Sequence, residues 1–468
     1  MKSISVFFYF LFSLSAFGMD SSVFSNAMKK SLKKKSFSSS HFGLMISHIS
    51  SDNKETEFYS LNADHLFIPA SLTKIPVLSA LYHYYPSYRK FQTKIISSGS
   101  ITQEVLKGDL VIKGGGDPAF TSESLWNLVN AFTRTGIKVI EGDILVDETL
   151  YRADGFLSRT DRSYEAPVSA ASFNWNSVTF RIRPGEKAGS KAQIFVDPQN
   201  SYIQIRNRVT TSEKSKTKIR VSRVSQSGKS ETFQFTGVIS HSTEEVSKFR
   251  NIKNPSLWLG YNVVSFLKQR GIQVKGGVKK GRCSSGCLEL AKWDSHPFSR
   301  LAYYLMKYSN NFIARMLVTH LSMEKGLEQG DFKTGMEWIE KYLTDEVKLK
   351  KYSLKEPSGL SRKNKFSPRD LQKILILDSK KQHNPEVLFS YPLAGGVGTL
   401  EKRYSKKQKE FHIRAKTGSL SGVAGLAGWA SRKEGESYIF TFLYNGPARK
   451  TLQAQNMFDE MILFLLKN

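Results

Sequence analysis

Cysteine is nearly absent from this chain. Among 468 residues only Cys283 and Cys287 occur, close together in a Ser-Gly turn. A structural zinc site takes four ligands, and two more are not evident near this pair, so no metal is predicted. In an exported protein the pair predicts a small disulfide, whose short loop would stabilise the fold only modestly.

Long apolar runs are equally scarce. The one marked run, residues 6–17, is shorter than the roughly 20 residues that cross a bilayer. Lys2 precedes it, and the small residues Ala16 and Gly18 fit a cleavage site before Met19. Residues 1–18 are therefore predicted to be a secretory signal peptide that directs the protein to the periplasm. The rest of the chain is expected to be soluble.

Acidic residues are outnumbered by basic ones, 41 to 69, and the formal net charge is +28. Such a balance predicts a polyanionic neighbour. For an exported protein an anionic wall polymer or membrane surface fits better than nucleic acid, for which no recognition motif is present. The nine histidines are scattered, and none has the surroundings of a His-based catalytic triad.

The two ends of the chain alternate between helical and strand patterns. Residues 72–84 and 298–320 carry apolar residues at helical spacing, and short alternating segments after residue 410 predict strands. Residues 19–40, rich in serine and lysine, are expected to be a loosely ordered lead-in. The fold class predicted is α+β, a three-layer α/β domain built from both ends of the chain.

The central part, residues 96–290, has a different pattern. Short alternating segments separated by Gly, Asn, Asp and Ser predict a mainly β insertion with helices near 123–135 and 257–269. Residues 182–245 are its most basic and polar part.

The first chemical motif is Ser71-Leu72-Thr73-Lys74. A serine hydroxyl needs a base before it becomes a good nucleophile, and a lysine with a lowered pKa can serve as that base. Positions i and i+3 of a helix share a face, so Lys74 is expected beside Ser71. Six other serines also have lysine three positions later, but only Ser71 combines a preceding Pro-Ala turn with a following apolar helix.

Two further motifs follow in order along the chain. Ser309-Asn310-Asn311 offers a hydroxyl and a carboxamide, although Ser309 or Asn310 could instead simply cap a helix. Lys416-Thr417-Gly418 lies in a predicted strand, where lysine and threonine can bind a carboxylate and glycine admits a close backbone. An identical tripeptide begins at Lys333, but its surroundings are helical, so the copy at Lys416 is chosen.

Together these motifs resemble those of penicillin-binding proteins and serine β-lactamases. The long insertion before the second motif makes the chain similar to the class C low-molecular-mass penicillin-binding proteins, the D-Ala-D-Ala carboxypeptidase/endopeptidase family. Further segments share this resemblance: Pro69-Ala70-Ser71, Gly108-Asp109-Leu110, Gly116-Asp117-Pro118, Ala166-Pro167-Val168-Ser169-Ala170, Ser358-Gly359-Leu360-Ser361-Arg362 and Gly398-Thr399-Leu400.

The resemblance implies a β-lactamase/transpeptidase-like domain interrupted by two nested extra domains. After the signal peptide at 1–18, the peptidase domain is expected to comprise residues 19–95 and 291–468. The inserted domain would comprise residues 96–181 and 246–290, and the β domain nested within it residues 182–245.

The resemblance also implies residue roles and partners. Ser71 would be acylated with Lys74 as base, Ser309 would pass a proton to the leaving amine, and Asn311 would orient the substrate. Lys416 is the fifth implied catalytic residue, and it would bind the substrate carboxylate together with Thr417. Gly418 and Ser419 complete the substrate-binding strand, and the backbone N–H groups of Ser71 and Ser419 would form the oxyanion hole. Arg362 and Asp161 would read the peptide side chain. No cofactor is implied. The partners implied are peptidoglycan peptide stems or crosslinks, and β-lactam antibiotics as covalent inhibitors.

Three departures from the family pattern fall on the substrate subsite. They are Arg315 where an acidic residue is common, Glu356-Pro357 before Ser358, and a missing Asp near Val397. Two alternatives stay open. One is a catalytically silent peptidoglycan-binding protein on the same fold, and the other is a β-lactamase, although no dedicated deacylating carboxylate can be assigned.

Overall fold

The structure, a computed structural model, describes residues 19–467 except 51, 53, 153–159, 227, 405–409 and 433–436. The predicted signal peptide lies outside the described residues. Within the described part, no helix combines the length and the apolar character needed to cross a membrane. Cys283 and Cys287 are joined in a disulfide.

The α-helices of the described residues are distributed over the whole chain. They are α1 (Ser21–Lys34), α2 (Lys74–Tyr84), α3 (Ser122–Thr133), α4 (Pro255–Gln269), α5 (Phe298–Lys307), α6 (Asn311–Glu324), α7 (Phe332–Asp345), α8 (Pro368–Ser379), α9 (Asn384–Ser390) and α10 (Thr451–Lys467).

The strands fall into several sheets. They are β1 (Phe42–Ile49), β2 (Glu55–Leu61), β3 (Gln92–Ser97), β4 (Ser100–Thr102), β5 (Val105–Lys107), β6 (Leu110–Lys113), β7 (Val139–Ile140), β8 (Ile144–Asp147), β9 (Ser177–Arg183), β10 (Gln193–Asp197), β11 (Ile203–Ser212), β12 (Lys218–Gln226), β13 (Glu231–Ser240), β14 (Val246–Asn251), β15 (Gln273–Val274), β16 (Val278–Lys280), β17 (Leu288–Asp294), β18 (Phe411–Leu420), β19 (Val423–Arg432) and β20 (Ser437–Asn445).

Strands from both ends of the chain form one antiparallel sheet, in the order β18-β19-β20-β1-β2. Side chains alternate across it, as the two-residue period of a strand requires. On β20, Phe440 and Phe442 join the core formed with α1 and α10, whereas Ile439 and Leu443 join the core formed with α2 and α5–α8. The predicted three-layer α+β architecture is confirmed.

The N-terminal lead-in is not loosely ordered, and that prediction was wrong. Residues Ser21–Lys34 form α1, whose first turn is capped by Asp20. Phe24, Met28 and Leu32 recur every fourth residue, so they share one face, and all three are buried against the terminal sheet and α10. The serines and lysines that suggested a loosely ordered segment lie mainly on the other, more exposed face of this helix.

The central insertion is mainly β, as predicted, with α3 and α4 packed into its core. Its sheets have the orders β16-β8-β6-β3-β17, β15-β7-β5-β4, β10-β9-β14 and β11-β13-β12. β3 and β17 pair antiparallel, so the chain enters and leaves the insertion along neighbouring strands. The domain boundaries themselves stay a prediction.

The amphipathic run at 298–320 is two helices, not one. α5 ends at Lys307, Ser309 has a left-handed φ of 54°, and Asn310 caps α6 by accepting a hydrogen bond from the Ile313 amide at 3.1 Å. Gly335, the last residue of the second Lys-Thr-Gly tripeptide, lies inside α7. A Cβ there would lie 1.8 Å from the Val318 carbonyl oxygen, so glycine allows α7 to pack closely on α6.

Candidate active site

Ser71 lies in a short 3-10 turn, Ala70–Thr73, that leads directly into α2. Ala70 has a left-handed φ of 48°, which is strained for a residue with a Cβ. Thr73 holds the turn by donating its hydroxyl to the Ala70 carbonyl oxygen at 2.8 Å. The local backbone at Ser71 is therefore set by its neighbours rather than by a regular helix.

Two glycines let other segments approach Ser71. A Cβ on Gly359, whose φ is +91°, would lie 2.0 Å from the Ala70 carbonyl oxygen. A Cβ on Gly418 would lie 2.7 Å from the Pro69 carbonyl oxygen and 3.3 Å from the Ser71 nitrogen. The third motif thus needs glycine because β18 lies against the turn that carries Ser71.

Lys74 is completely buried beside Ser71. Its Nζ donates to Ser71 Oγ at 3.2 Å, to Asn311 Oδ1 at 2.8 Å and to the Ser358 carbonyl oxygen. Burial lowers the pKa of Lys74 to about 7, although the Glu356 carboxylate opposes this shift. A large fraction of Lys74 is therefore neutral near pH 7 and able to accept the Ser71 proton.

The second and third motifs meet through another buried lysine. Lys416 on β18 donates to Ser309 Oγ at 2.9 Å and to the Thr417 carbonyl oxygen at 2.7 Å. Burial first, and the positive charge of Lys74 second, hold the pKa of Lys416 well below its usual range. The hydroxyls of Ser71 and Ser309 thus each have a lysine amine as hydrogen-bond partner.

The loop before β18 connects the second and third motifs. Thr417 donates its hydroxyl to Thr399 Oγ1 at 2.8 Å, and the Thr399 amide donates to the Lys307 carbonyl oxygen at 3.1 Å. Lys307 ends α5 just before Ser309, so this loop fixes the two motifs relative to each other. Ser419 accepts a hydrogen bond from Gln455 at 3.3 Å.

Sequence reasoning missed two residues that hold the site together. The Glu356 carboxylate accepts hydrogen bonds from the amides of Ser358 at 2.9 Å, Gly359 at 2.6 Å and Ser361 at 3.0 Å. The buried Asn364 amide donates to the Glu356 carbonyl oxygen at 2.8 Å and to Thr73 Oγ1 at 3.3 Å. Of these two residues the sequence signals only Glu356, as a departure from the family pattern.

The two residues predicted to contact the peptide side chain, Arg362 and Asp161, have different surroundings. Arg362 is exposed and donates to the Ser421 carbonyl oxygen, just after β18. The Asp161 carboxylate pairs with Arg223, which also binds Glu231 at 2.8 Å within the insertion. The structure places Ser71, Lys74 and Asn311 in one hydrogen-bonded group and Ser309 with Lys416 in a second one close by. It does not show Asp161 bonded to either group.

The arrangement can perform nucleophilic catalysis without a metal. A serine hydroxyl contacts a buried amine with a pKa near neutrality, and a second serine-lysine pair lies next to it. In the described residues, no three His, Cys, Asp or Glu side chains are arranged to hold a metal ion.

The known proteins to which this chain is similar include several D-Ala-D-Ala carboxypeptidases. The profile of the D-Ala-D-Ala carboxypeptidase 3 (S13) family matches residues 24–467. D-alanyl-D-alanine carboxypeptidase DacB of Haemophilus influenzae is 24% identical over 449 residues, which cover 94% of this chain and 93% of that protein. D-alanyl-D-alanine carboxypeptidase of an Actinomadura species is 25% identical over 410 residues, which cover 83% of this chain and 75% of that protein.

Solved structures share the fold. The crystal structure of penicillin-binding protein 4 from Haemophilus influenzae superposes with a TM-score of 0.73 at 23% identity, covering 90% of this chain and 96% of that chain. A predatory peptidoglycan endopeptidase from Bdellovibrio bacteriovorus gives a TM-score of 0.52 at 16% identity, covering 91% of this chain and 92% of that chain.

Proposed function

This chain belongs to the D-Ala-D-Ala carboxypeptidase 3 (S13) family, and from that premise we propose that Ser71 is the nucleophile of its reaction. The protein is a serine D-Ala-D-Ala carboxypeptidase, a hydrolase. The observation that supports the assignment of Ser71 is its hydrogen bond to Lys74, a buried amine whose pKa is about 7.

Acylation begins when neutral Lys74 takes the Ser71 hydroxyl proton. The Ser71 oxygen then bonds to the carbonyl carbon of the scissile D-Ala-D-Ala peptide, and the carbonyl oxygen becomes an oxyanion. The backbone amides of Ser71 and Ser419 are proposed as its donors, because β18 lies against the Ser71 nitrogen. Asn311, which contacts Lys74, orients the substrate amide.

Collapse of the tetrahedral intermediate breaks the peptide C–N bond. Ser309 gives its proton to the leaving amine and is reprotonated through Lys416, its partner at 2.9 Å. The terminal D-alanine leaves and an ester to Ser71 remains. Water then attacks this ester and gives a proton through Ser309 to the now neutral Lys416, while protonated Lys74 returns its proton to the Ser71 oxygen as the shortened peptide leaves.

Substrate binding is proposed to rest on the third motif. Lys416 and Thr417 bind the terminal carboxylate, whose negative charge favours the protonated form of the buried Lys416. Gly418 admits the substrate backbone along the edge of β18. Arg362, which lies beside Ser421, is proposed to contact the peptide side chain, and Asp161 is kept as a weaker proposal because it is paired with Arg223.

The proposed location is the periplasm, and the proposed substrates are peptidoglycan peptide stems or their D,D-crosslinks. β-Lactams are proposed to acylate Ser71, since a Haemophilus influenzae relative has been solved in complex with a β-lactam. A substrate carboxylate and amide fit a site in which lysines, hydroxyls and a carboxamide converge.

The deciding experiment is covalent labelling of the purified protein with a fluorescent penicillin, read by intact mass. We expect a stable one-to-one adduct on the wild type and none on Ser71→Ala, while both proteins give the same thermal melting curve. Digestion of purified muropeptides then separates release of terminal D-alanine from cleavage of crosslinks.

Other results would change the assignment. If the folded wild type forms no adduct, the acyl-serine mechanism is wrong and a silent peptidoglycan-binding role becomes the better explanation. Rapid turnover of nitrocefin without a lasting adduct would identify a β-lactamase instead.

A further inference from the structure

A groove leads away from the second motif toward the insertion. It has a volume of about 560 Å³, and its wall includes Ser309 and Asn311 of the active site together with residues of β9 and β14. The proposed reaction uses only the end of this groove that holds Ser309 and Asn311. The remainder is large enough for a further part of the substrate.

The groove is lined by aromatic side chains that the fold leaves exposed. Trp175 is 39% exposed, Phe249 52% and Tyr308 55%. Trp175 and Tyr308 also line an adjoining cavity of about 410 Å³. Single exposed aromatics are common on protein surfaces, but several in one groove mark a binding surface.

The backbone that presents Trp175 is strained. Asn174, Trp175 and Asn176 have left-handed φ values of 47°, 54° and 49°, and residues with a Cβ rarely adopt such values in succession. Strain of this kind persists only where the surroundings enforce it, and it concentrates at functional sites.

Side-chain hydrogen bonds enforce the turn on both sides of Trp175. Asn174 accepts from the Ser122 amide at 3.0 Å and donates to Ser122 Oγ at 2.9 Å. The buried Asn176 accepts from the Phe173 amide at 3.1 Å and donates to Ser172 Oγ at 2.9 Å. The turn therefore holds an exposed indole in the groove instead of packing it into the core.

The charge of the lining limits what the groove can bind. The chain has 69 lysines and arginines, yet none is among the described residues that line this groove. Its one carboxylate, Asp197, already pairs with Arg181 at 3.3 Å. Serine, threonine and asparagine side chains make up most of the other lining. The occupant is therefore uncharged, with apolar faces for the aromatic rings and polar groups at its edges.

We propose that this groove binds an N-acetylated amino sugar of the peptidoglycan glycan strand, with the Trp175 ring stacked on the sugar face. This inference rests on the proposed function, because the stem peptide at Ser71 would be joined to the sugar in the groove. The enzyme accordingly prefers stem peptides attached to glycan over the same peptides free in solution.

The first test compares kcat/KM on a disaccharide-linked stem peptide and on the identical free peptide. We expect Trp175→Ala to lower kcat/KM about tenfold on the linked substrate and to leave the free peptide and penicillin acylation unchanged. Trp175→Tyr should restore most of the loss. The matched control is Trp126→Ala, which removes another exposed tryptophan, on α3, stacked by Arg270.

A second test needs no catalysis. Peptide-free glycan chains are titrated into the wild type and into Trp175→Ala in an isothermal titration calorimeter, because the heat of binding does not depend on the substituted tryptophan as a reporter. Saturable binding that disappears in Trp175→Ala is expected. Equal loss of kcat/KM on both substrates, or absence of glycan binding to the wild type, overturns the inference. Absence of penicillin acylation would instead overturn the proposed function and leave the binding result interpretable.

Discussion

The two lysines of the site share one electrostatic environment. Lys74 and Lys416 are both fully buried, and the charge of Lys74 itself contributes to the lowered pKa of Lys416. Because two buried like charges so close together are costly, the unliganded site favours at least one neutral amine. A neutral amine beside Ser71 is what the proposed acylation step requires of its base.

The pH dependence of acylation follows from Lys74. A base must be neutral, so the rate constant for penicillin acylation should rise with pH through a midpoint near 7, the pKa of Lys74. The Glu356 carboxylate raises that pKa, and Glu356→Gln removes its charge. We therefore expect the midpoint of the Glu356→Gln profile to move to lower pH, measured by stopped-flow acylation across pH 5 to 9.

The matched control is Glu337→Gln, which changes an exposed carboxylate of α7 and should leave the midpoint in place. A midpoint that rises in Glu356→Gln, or a wild-type rate that is flat across pH 7, would contradict the assignment of Lys74 as base.

At the scale of elements, the sequence predicts the three catalytic motifs but not all of the residues that hold them in position. The strand around Lys416 and the helix after Ser71 follow from local pattern, because both are continuous in sequence. The break at Ser309 follows only in part, since apolar spacing continues across it. The alternative in which Ser309 or Asn310 caps a helix did anticipate the Asn310 cap of α6. Glu356 acts through hydrogen bonds to amides of its own loop, which leave no periodic pattern.

Helix α1 shows why amino-acid composition gave a wrong prediction for residues 19–40. Its lysines and serines suggest disorder, but tertiary burial of three apolar residues outweighs that composition. Phe24 is fully buried and makes edge contacts with the rings of Phe58 and Tyr59, at 5.9 Å and 5.0 Å between centroids. The helix is therefore part of the third layer of the fold.

Removing the Phe24 side chain should destabilise the protein without changing the active site. We expect Phe24→Ala to lower the free energy of unfolding by about 3–5 kcal/mol, as is usual for a buried phenylalanine. The adjacent Val23→Ala, at a position 48% exposed, should change it by less than about 0.5 kcal/mol. Urea unfolding measures both, and equal effects of the two substitutions would show that α1 does not pack as described.

At the scale of the whole molecule, the excess positive charge and the groove next to Ser309 are separate features. The net charge is +28, whereas the groove next to Ser309 has no cationic side chain among its described lining residues. The excess charge therefore lies elsewhere, and part of it is on α1. Its exposed face, opposite Phe24, carries Lys29, Lys30, Lys33 and Lys34.

This charge should attach the enzyme to an anionic wall in a salt-dependent manner. Raising the salt from about 0.1 M to about 1 M shortens the Debye length from about 10 Å to about 3 Å, so screened attraction is largely lost. We expect cosedimentation with isolated anionic cell walls to fall steeply over this range, while penicillin acylation at Ser71 changes far less. Replacing the four exposed α1 lysines with glutamine should weaken wall binding at low salt and flatten its salt dependence, with acylation unchanged. Binding that is insensitive to salt would show that contacts other than charge hold the enzyme on the wall, because direct hydrogen-bonded and stacking contacts are screened little at these ionic strengths.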